Sequence, residues 1–312
     1  MKLSLLFPET RDLAVVRALA AQTDDAGFDG LWLGSAFGFD PFIALALAAS
    51  SAPRLQLGTA VVPTWPRHPL VMAQQAASVS AACGGRFRLG LGPSHAPVMG
   101  MYGIEFDRPI SHVREYLTIV RALLHDGKVK HRGERYSVNA FLDVADAPPP
   151  PVLLGVLREQ SARVAGGYAD GALSWLCPAP YLAEVIVPNL AEGADRAGRA
   201  VPPLLAEFPC VLTSDRDAVR QIAATELAVY PMMPFYRAVF EASGIAMADA
   251  AWNDAMIDAT ILWGDEDTLA AKIRACFATG ADEVVLSPFG VVDDPTSSRA
   301  DCIRVLADIK AS

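Results

Sequence analysis

Short apolar runs alternate along the chain with longer segments in which apolar positions recur every three or four residues, and this rhythm repeats eight times. Lys2–Phe7, Asp29–Leu33, Leu55–Val62 and Arg86–Leu91 read as strands in the first half. Val152–Val156, Gly171–Leu176, Leu204–Leu212 and Glu283–Ser287 read as strands in the second. Their nearly continuous apolar character suits a parallel sheet whose outer face is covered by helices. Helices are expected over Arg11–Ala26, Pro41–Ser51, His68–Cys83, Pro109–His125, Glu159–Gly166, Pro180–Arg199, Asp215–Val229, Asp265–Thr279 and Ser298–Lys310. Pro109–His125 carries the clearest stripe, with Val113, Tyr116, Leu117, Val120, Leu123 and Leu124 on one face.

Three segments interrupt the rhythm. Gly92–Arg108 is a long break rich in Gly, Pro and Met. Lys128–Val144 alternates charged and apolar residues around Gly133 and reads as an inserted antiparallel ribbon, joined to the fifth strand by the polyproline connector Pro148–Pro151. Pro231–Asp258 is an extra helical stretch between the seventh and eighth units. Eight strand–helix units in 312 residues predict a single domain, residues 1–312, folded as an α/β (β/α)8 TIM barrel with insertions. The rival doubly wound sheet would carry a glycine-rich turn after its first strand, and Phe7-Pro8-Glu9-Thr10 contains no glycine.

Composition narrows the possibilities. With 52% hydrophobic residues a large core is available and disorder is not expected. A net charge of −9 argues against a nucleic-acid surface. The apolar stretch Pro41–Ala52 stops at Pro53-Arg54, short of the roughly 18 residues of a membrane span, and no secretory leader is visible. Cys83, Cys177, Cys210, Cys276 and Cys302 lack metal-ligand spacing and read as buried thiols in a reducing compartment, so a cytoplasmic protein is expected.

A barrel of this kind keeps its active site at the C-terminal ends of its strands. Two strand ends stand out: Thr59–His68, which crowds two prolines, Trp65 and His68, and Leu89–His95, which ends in two glycines, a proline, Ser94 and His95. Glycine there lets a flat ligand approach the backbone, or simply relieves crowding inside the barrel. Trp65 reads either as a site residue or as packing under its loop, and His68 as a site residue or a helix cap. His95 can exchange a proton near neutral pH. Acids are scarce at these ends, with Glu105, Asp107 and Asp40 the nearest. There is no nucleophile elbow and no phosphate-binding loop, and His112, His125 and His131 lack partners at zinc-ligand spacing, so no metal is expected.

Five segments in order, Ala26–Trp32, Leu57–Pro69, Gly84–His95, Phe106–Pro109 with Arg114–Leu117, and Ala165–Gly171, resemble the luciferase-like monooxygenase superfamily, in particular its deazaflavin-dependent oxidoreductases. The resemblance covers essentially the whole chain. It implies a barrel that holds coenzyme F420, or alternatively FMN, across the ends of the third and fourth strands, with the phosphate near the loops after the fifth and sixth. Some relatives carry a non-prolyl cis peptide where this chain has Ala60 and Val61. The expected cofactor contacts are Ala60, Val61 and Val62 against the ring, Gly92 and Ser94 at its edge, and Gly155, Val156, Leu157 and Arg158 toward the phosphate. His95 is the expected catalytic residue, as proton donor or hydrogen-bond anchor. The implied activity is hydride transfer between the deazaflavin and a small organic substrate, by a soluble homodimer. Alternatives are an FMN-dependent monooxygenase and a non-catalytic cofactor-binding paralogue. Two departures stand against the pattern: Gly34-Ser35-Ala36 replaces an acid–histidine pair after the second strand, and Arg158 stands where many relatives have a small residue.

Overall fold

A computed structural model describes residues 1–8, 11–35, 37–144, 148–247 and 249–312. Eight parallel strands close on themselves: Leu3–Phe7, Gly30–Leu33, Gln56–Thr59, Phe87–Gly92, Val152–Gly155, Gly171–Trp175, Leu204–Leu212 and Glu283–Pro288. Each pairs with its neighbours in sequence, and the eighth pairs with the first through Leu3↔Val284 and Leu5↔Leu286. The chain is therefore a (β/α)8 barrel, as its rhythm predicts. Glu9, Thr10 and Ala36, which belong to the first two strand ends in the sequence reading, lie outside the described residues.

Two layers form because successive strand residues point to opposite faces. Outward residues such as Leu5, Leu57, Leu89, Leu154, Phe208 and Leu286 pack under the helices in the main core. Inward residues Leu6, Trp32, Leu153, Leu173, Leu205 and Val285 form a second cluster inside the barrel. Two residues nearer the N-terminal ends of the first and eighth strands, Ser4 and Glu283 form a polar group with Arg88 of the fourth strand. The Ser4 hydroxyl donates to Glu283 Oε1 at 2.5 Å, Arg88 Nη1 donates to Oε2 at 2.8 Å, and the guanidinium lies 4.8 Å from the Trp32 ring centroid. Burying this carboxylate is tolerable because it is paired and hydrogen-bonded.

The insertions take the expected forms with sharper edges. Lys128–Arg132 pairs antiparallel with Ser137–Phe141. The ribbon is fastened by Glu115 of the helix Pro109–His125, whose carboxylate accepts the backbone N–H groups of Glu134, Arg135 and Tyr136 and faces His131 Nε2 at 3.1 Å. Burial alone would raise the Glu115 pKa, but His131 and these N–H groups outweigh it and hold it low. The stretch after the seventh unit contains helices Pro234–Ala242 and Asp254–Thr260. The Gly92–Arg108 break holds a six-residue helix, Ala96–Met101, which the sequence reading leaves as loop. The apolar faces of Pro69–Ala82 and Pro109–His125 pack on the barrel and on each other. All five cysteines are buried and unbridged. Among the described residues no helix is long and apolar enough to cross a membrane.

Candidate active site

Seven of the eight strand ends, together with the middle of the seventh strand, line one cavity of about 1430 Å³. Its walls follow from backbone features of individual strands. The third strand ends in the cis peptide Ala60–Val61, at the position the resemblance implies. The Val61 side chain then lies between the fourth and fifth strands: a Cβ added to Gly92 would meet Val61 Cγ2 at 3.0 Å, and one added to Gly155 would meet Cγ1 at 3.4 Å. Gly92 and Gly155 thus make room for Val61 as well as lining the cavity, and together the three present a smooth apolar wall. Gly90 has a different task, since a Cβ there would fall 1.9 Å from the Thr59 carbonyl oxygen. The crowding explanation holds for Gly90.

Val62 departs from its expected role. It is fully buried in the core between barrel and helices and does not line the cavity. Ala60 and Val61, joined by the cis peptide, both face the interior, and the alternation that resumes after them turns the Val62 side chain outward.

The fourth strand leads into Ser94, whose φ of 63° is in the left-handed region, and the chain then re-enters helix at Ala96. This bend sets His95 in the cavity wall. Its ring lies 5.6 Å from Phe235 and 5.4 Å from Tyr236, centroid to centroid, and its buried Nδ1 has no partner among the described residues. Burial lowers the His95 pKa to about 4, so the imidazole is neutral at pH 7. A neutral ring donates from one nitrogen and accepts on the other, which suits an anchor better than an acid. From Tyr236 an aromatic arc continues to Tyr230 at 4.8 Å and from there to Trp175 of the sixth strand at 6.2 Å. The cavity is bounded by the Val61 wall and by this arc.

At the fifth strand, Gly155, Val156, Leu157 and Arg158 all line the cavity and lead into the helix Glu159–Tyr168. Ser161 Oγ accepts the N–H groups of Leu157 and Arg158 at 3.3 and 3.1 Å, so those two donors are already engaged. The Arg158 side chain is exposed at the rim, where it leaves the cavity open and adds positive charge.

Other sequence candidates have structural tasks. Trp65 stacks on His112, and Thr64 Oγ1 lies 2.8 Å from His112 Nε2. His68 caps the helix Pro69–Ala82 by accepting the Leu70 N–H on Nδ1 at 3.2 Å. Asp40 caps the helix Pro41–Ala48 and pairs with Arg67, and Asp107 pairs with Arg108 and Arg135. Of the loop methionines, Met233 lines the cavity while Met99 belongs to the core.

Two cavity residues that the sequence did not single out carry unpartnered polar atoms. Glu207 projects from the middle of the seventh strand, is 3% exposed, and its Oε1 has no partner among the described residues. Burial, with Glu283 nearby, raises its pKa to about 8. Ser287 of the eighth strand is 1% exposed and its hydroxyl is likewise unpartnered. The signal was present: Glu207 is the one charged residue in the apolar run Leu204–Leu212.

A family model for luciferase-like monooxygenase matches residues 3–283. The chain belongs to the luciferase-like monooxygenase family. A 5,10-methylenetetrahydromethanopterin reductase of Methanolobus tindarius is 26% identical over 293 residues, 87% of this chain and 89% of that protein. Among solved structures, the coenzyme F420-dependent tetrahydromethanopterin reductase of Methanopyrus kandleri superposes with a TM-score of 0.81 at 22% identity, covering 98% of this chain and 97% of that one. The FMN complex of the oxygenating constituent of 3,6-diketocamphane monooxygenase from Pseudomonas putida gives 0.76 at 17% identity, covering 98% and 96%. Luciferase-like proteins of this fold thus include deazaflavin- and flavin-dependent enzymes, and this chain shares their barrel.

Proposed function

We propose that the protein is an oxidoreductase that transfers a hydride between coenzyme F420 and a small organic substrate. The observation that carries this reading is the wall formed by Val61 between Gly92 and Gly155, in a cavity that the aromatic arc also lines and that is large enough for a tricyclic ring and a second molecule. The residues present fit such a group: a flat apolar wall, an imidazole with an unpartnered buried nitrogen, and an arginine at the rim on the side where a phosphate tail would leave. The likeness to the coenzyme F420-dependent reductase of Methanopyrus kandleri supports the deazaflavin over other flat cofactors.

When bound, the deazaflavin supplies a two-electron hydride donor or acceptor. The chain's own residues bind, orient and exclude water. Ala60, Val61, Gly92 and Gly155 support the ring, and neutral His95 fixes its edge or the substrate by hydrogen bonding. Arg158 neutralises the anionic tail. The FMN-dependent monooxygenase is the second reading, favoured by the fold shared with the FMN-bound camphane enzyme. Titrating the protein with coenzyme F420 and, separately, with FMN, followed by the fluorescence of its five tryptophans, tests the choice. Saturable binding of F420 with weak FMN binding is expected. The reverse preference overturns the deazaflavin reading in favour of the oxygen-dependent one.

A further inference from the structure

On the seventh and eighth strands, away from Val61 after the third, two polar side chains enter the cavity. Glu207 and Ser287 sit on neighbouring strands, and the register places Pro209 beside Ser287 and Glu207 beside Val285. Both are almost wholly buried, both line the cavity, and each has a polar atom with no partner among the described residues. A buried polar atom left without a partner costs free energy, so its retention at a cavity surface points to a partner that arrives with a ligand. The cavity thus has an apolar wall at Val61 and, away from it, a carboxyl group and a hydroxyl group.

We propose that Glu207 is the proton-donating acid of this site, and that with Ser287 it forms a subsite for an uncharged substrate bearing a carbonyl or hydroxyl oxygen. This rests on the hydride-transfer reading. In the reducing direction the carbonyl carbon gains a hydride from the reduced deazaflavin, the carbon–oxygen π bond breaks, and the oxygen takes the Glu207 proton to become a hydroxyl. The carboxylate left behind regains a proton from solvent, and oxidation of the alcohol runs the same steps in reverse. His95 cannot fill this role at neutral pH, because its burial keeps it unprotonated. Glu207 can, because it keeps its proton up to about pH 8.

The groups around it agree. Glu283 disfavours a second negative charge, and Tyr230, Tyr236 and Cys177 are themselves held neutral by burial. The cation of the interior, Arg88, is committed to Glu283. A substrate carboxylate placed directly against Glu207 would face this acidic pair, whereas the arginines that line the cavity, Arg11, Arg158 and Arg299, come from segments beyond the strand ends. The oxygen recognised here is therefore that of a ketone, aldehyde or alcohol without an acidic group nearby.

The test uses the whole protein and its Glu207→Gln variant, an isosteric change that keeps the volume and removes the acid. Without cofactor, the infrared spectrum of the wild type should show a carboxylic-acid carbonyl band that disappears as pH rises through about 8, and the variant should lack it. With F420, both proteins should bind equally by tryptophan fluorescence. Reduction of cyclohexanone should fall on the order of 100-fold in the variant and lose the decline above the Glu207 pKa that the wild type shows. A carboxylated ketone, 4-oxopentanoate, should be a much poorer substrate than cyclohexanone. Absence of the band, or a variant with wild-type turnover and an unchanged pH profile, overturns the acid role. Equal use of the two ketones overturns the uncharged-substrate subsite. Failure of the wild type to bind F420 instead overturns the hydride reading and the donor role with it, while the infrared result still decides where the proton is held.

Discussion

The indole of Trp65 lies flat on the imidazole of His112, with ring centroids 3.7 Å apart and planes 3° from parallel. His112 is 1% exposed, and its Nε2 is 2.8 Å from the Thr64 hydroxyl. Burial foremost, with Arg135 adding to it, lowers the His112 pKa to about 4. The folded protein therefore binds fewer protons here than the unfolded chain between pH 4 and the ordinary histidine value near 6.5. Stability from this group is complete above that value and is lost as pH falls through the window, by up to about 3 kcal/mol. Urea unfolding at pH 7 and pH 5 should show the loss, and His112→Gln should flatten the slope. An equal slope in that variant would rule the histidine out as its source.

His95 should behave oppositely to His112 on substitution. It stands in the cavity wall rather than in the core, so His95→Ala should lower turnover on the order of 100-fold while moving the melting temperature little. A variant that melts early but turns over normally would assign His95 to packing alone.

Glu207 makes a stability prediction that needs no cofactor. Its folded pKa of about 8 lies above the ordinary carboxylate value, so folding keeps a proton that the unfolded chain has released. Its contribution is therefore present at low pH and lost as pH rises through about 8. Glu207→Gln should gain stability relative to wild type between pH 6 and pH 9 in urea titrations. A constant difference across that range would mean the carboxyl is ionised throughout.

Gly90 tolerates no side chain, because a Cβ would lie 1.9 Å from the Thr59 carbonyl oxygen and 2.6 Å from Leu173 Cδ1. Gly90→Ala should destabilise the barrel by about 1–3 kcal/mol. Gly92→Ala meets a softer contact, Val61 Cγ2 at 3.0 Å, and should disturb cofactor binding more than stability. Calorimetry and F420 titration of the pair distinguish these effects, and the same ranking in both assays would contradict the separate roles.

Arg158→Ala should weaken F420 binding roughly 10-fold or more and reduce its dependence on salt, since a charge-assisted contact is worth about 1.5–3 kcal/mol. Unchanged affinity would place the anionic tail elsewhere on the rim.

Strands and helices were legible because continuous apolar runs and stripes of period three to four survive in a single sequence, and the barrel followed from their alternation. The cavity's contributors at Ala60, Val61, Gly92, His95 and Gly155 were reachable because barrel sites gather at strand ends. Val62 was misplaced because one residue of register reverses a side chain, and a local kink decides the register. Glu207 was not legible as a site residue because it lies within a strand rather than at its end. Its acid in an otherwise apolar run could have been read as a buried charge in need of a reason. Tyr230, Tyr236 and Phe235 come from a long insertion whose return over the barrel mouth no local pattern encodes.

Ser4, Arg88 and Glu283 lie beneath the inward apolar layer of Leu6, Trp32, Leu153, Leu173, Leu205 and Val285, so the barrel is filled below its cavity. Entry from the floor is therefore blocked, and molecules reach the chamber from the side of the strand C-termini. Two molecules that must meet inside it share that side, and the one that lies deeper is expected to arrive first and depart last. Kinetics on this protein should then show a compulsory order of addition, with excess of the outer partner trapping the inner one rather than speeding its turnover.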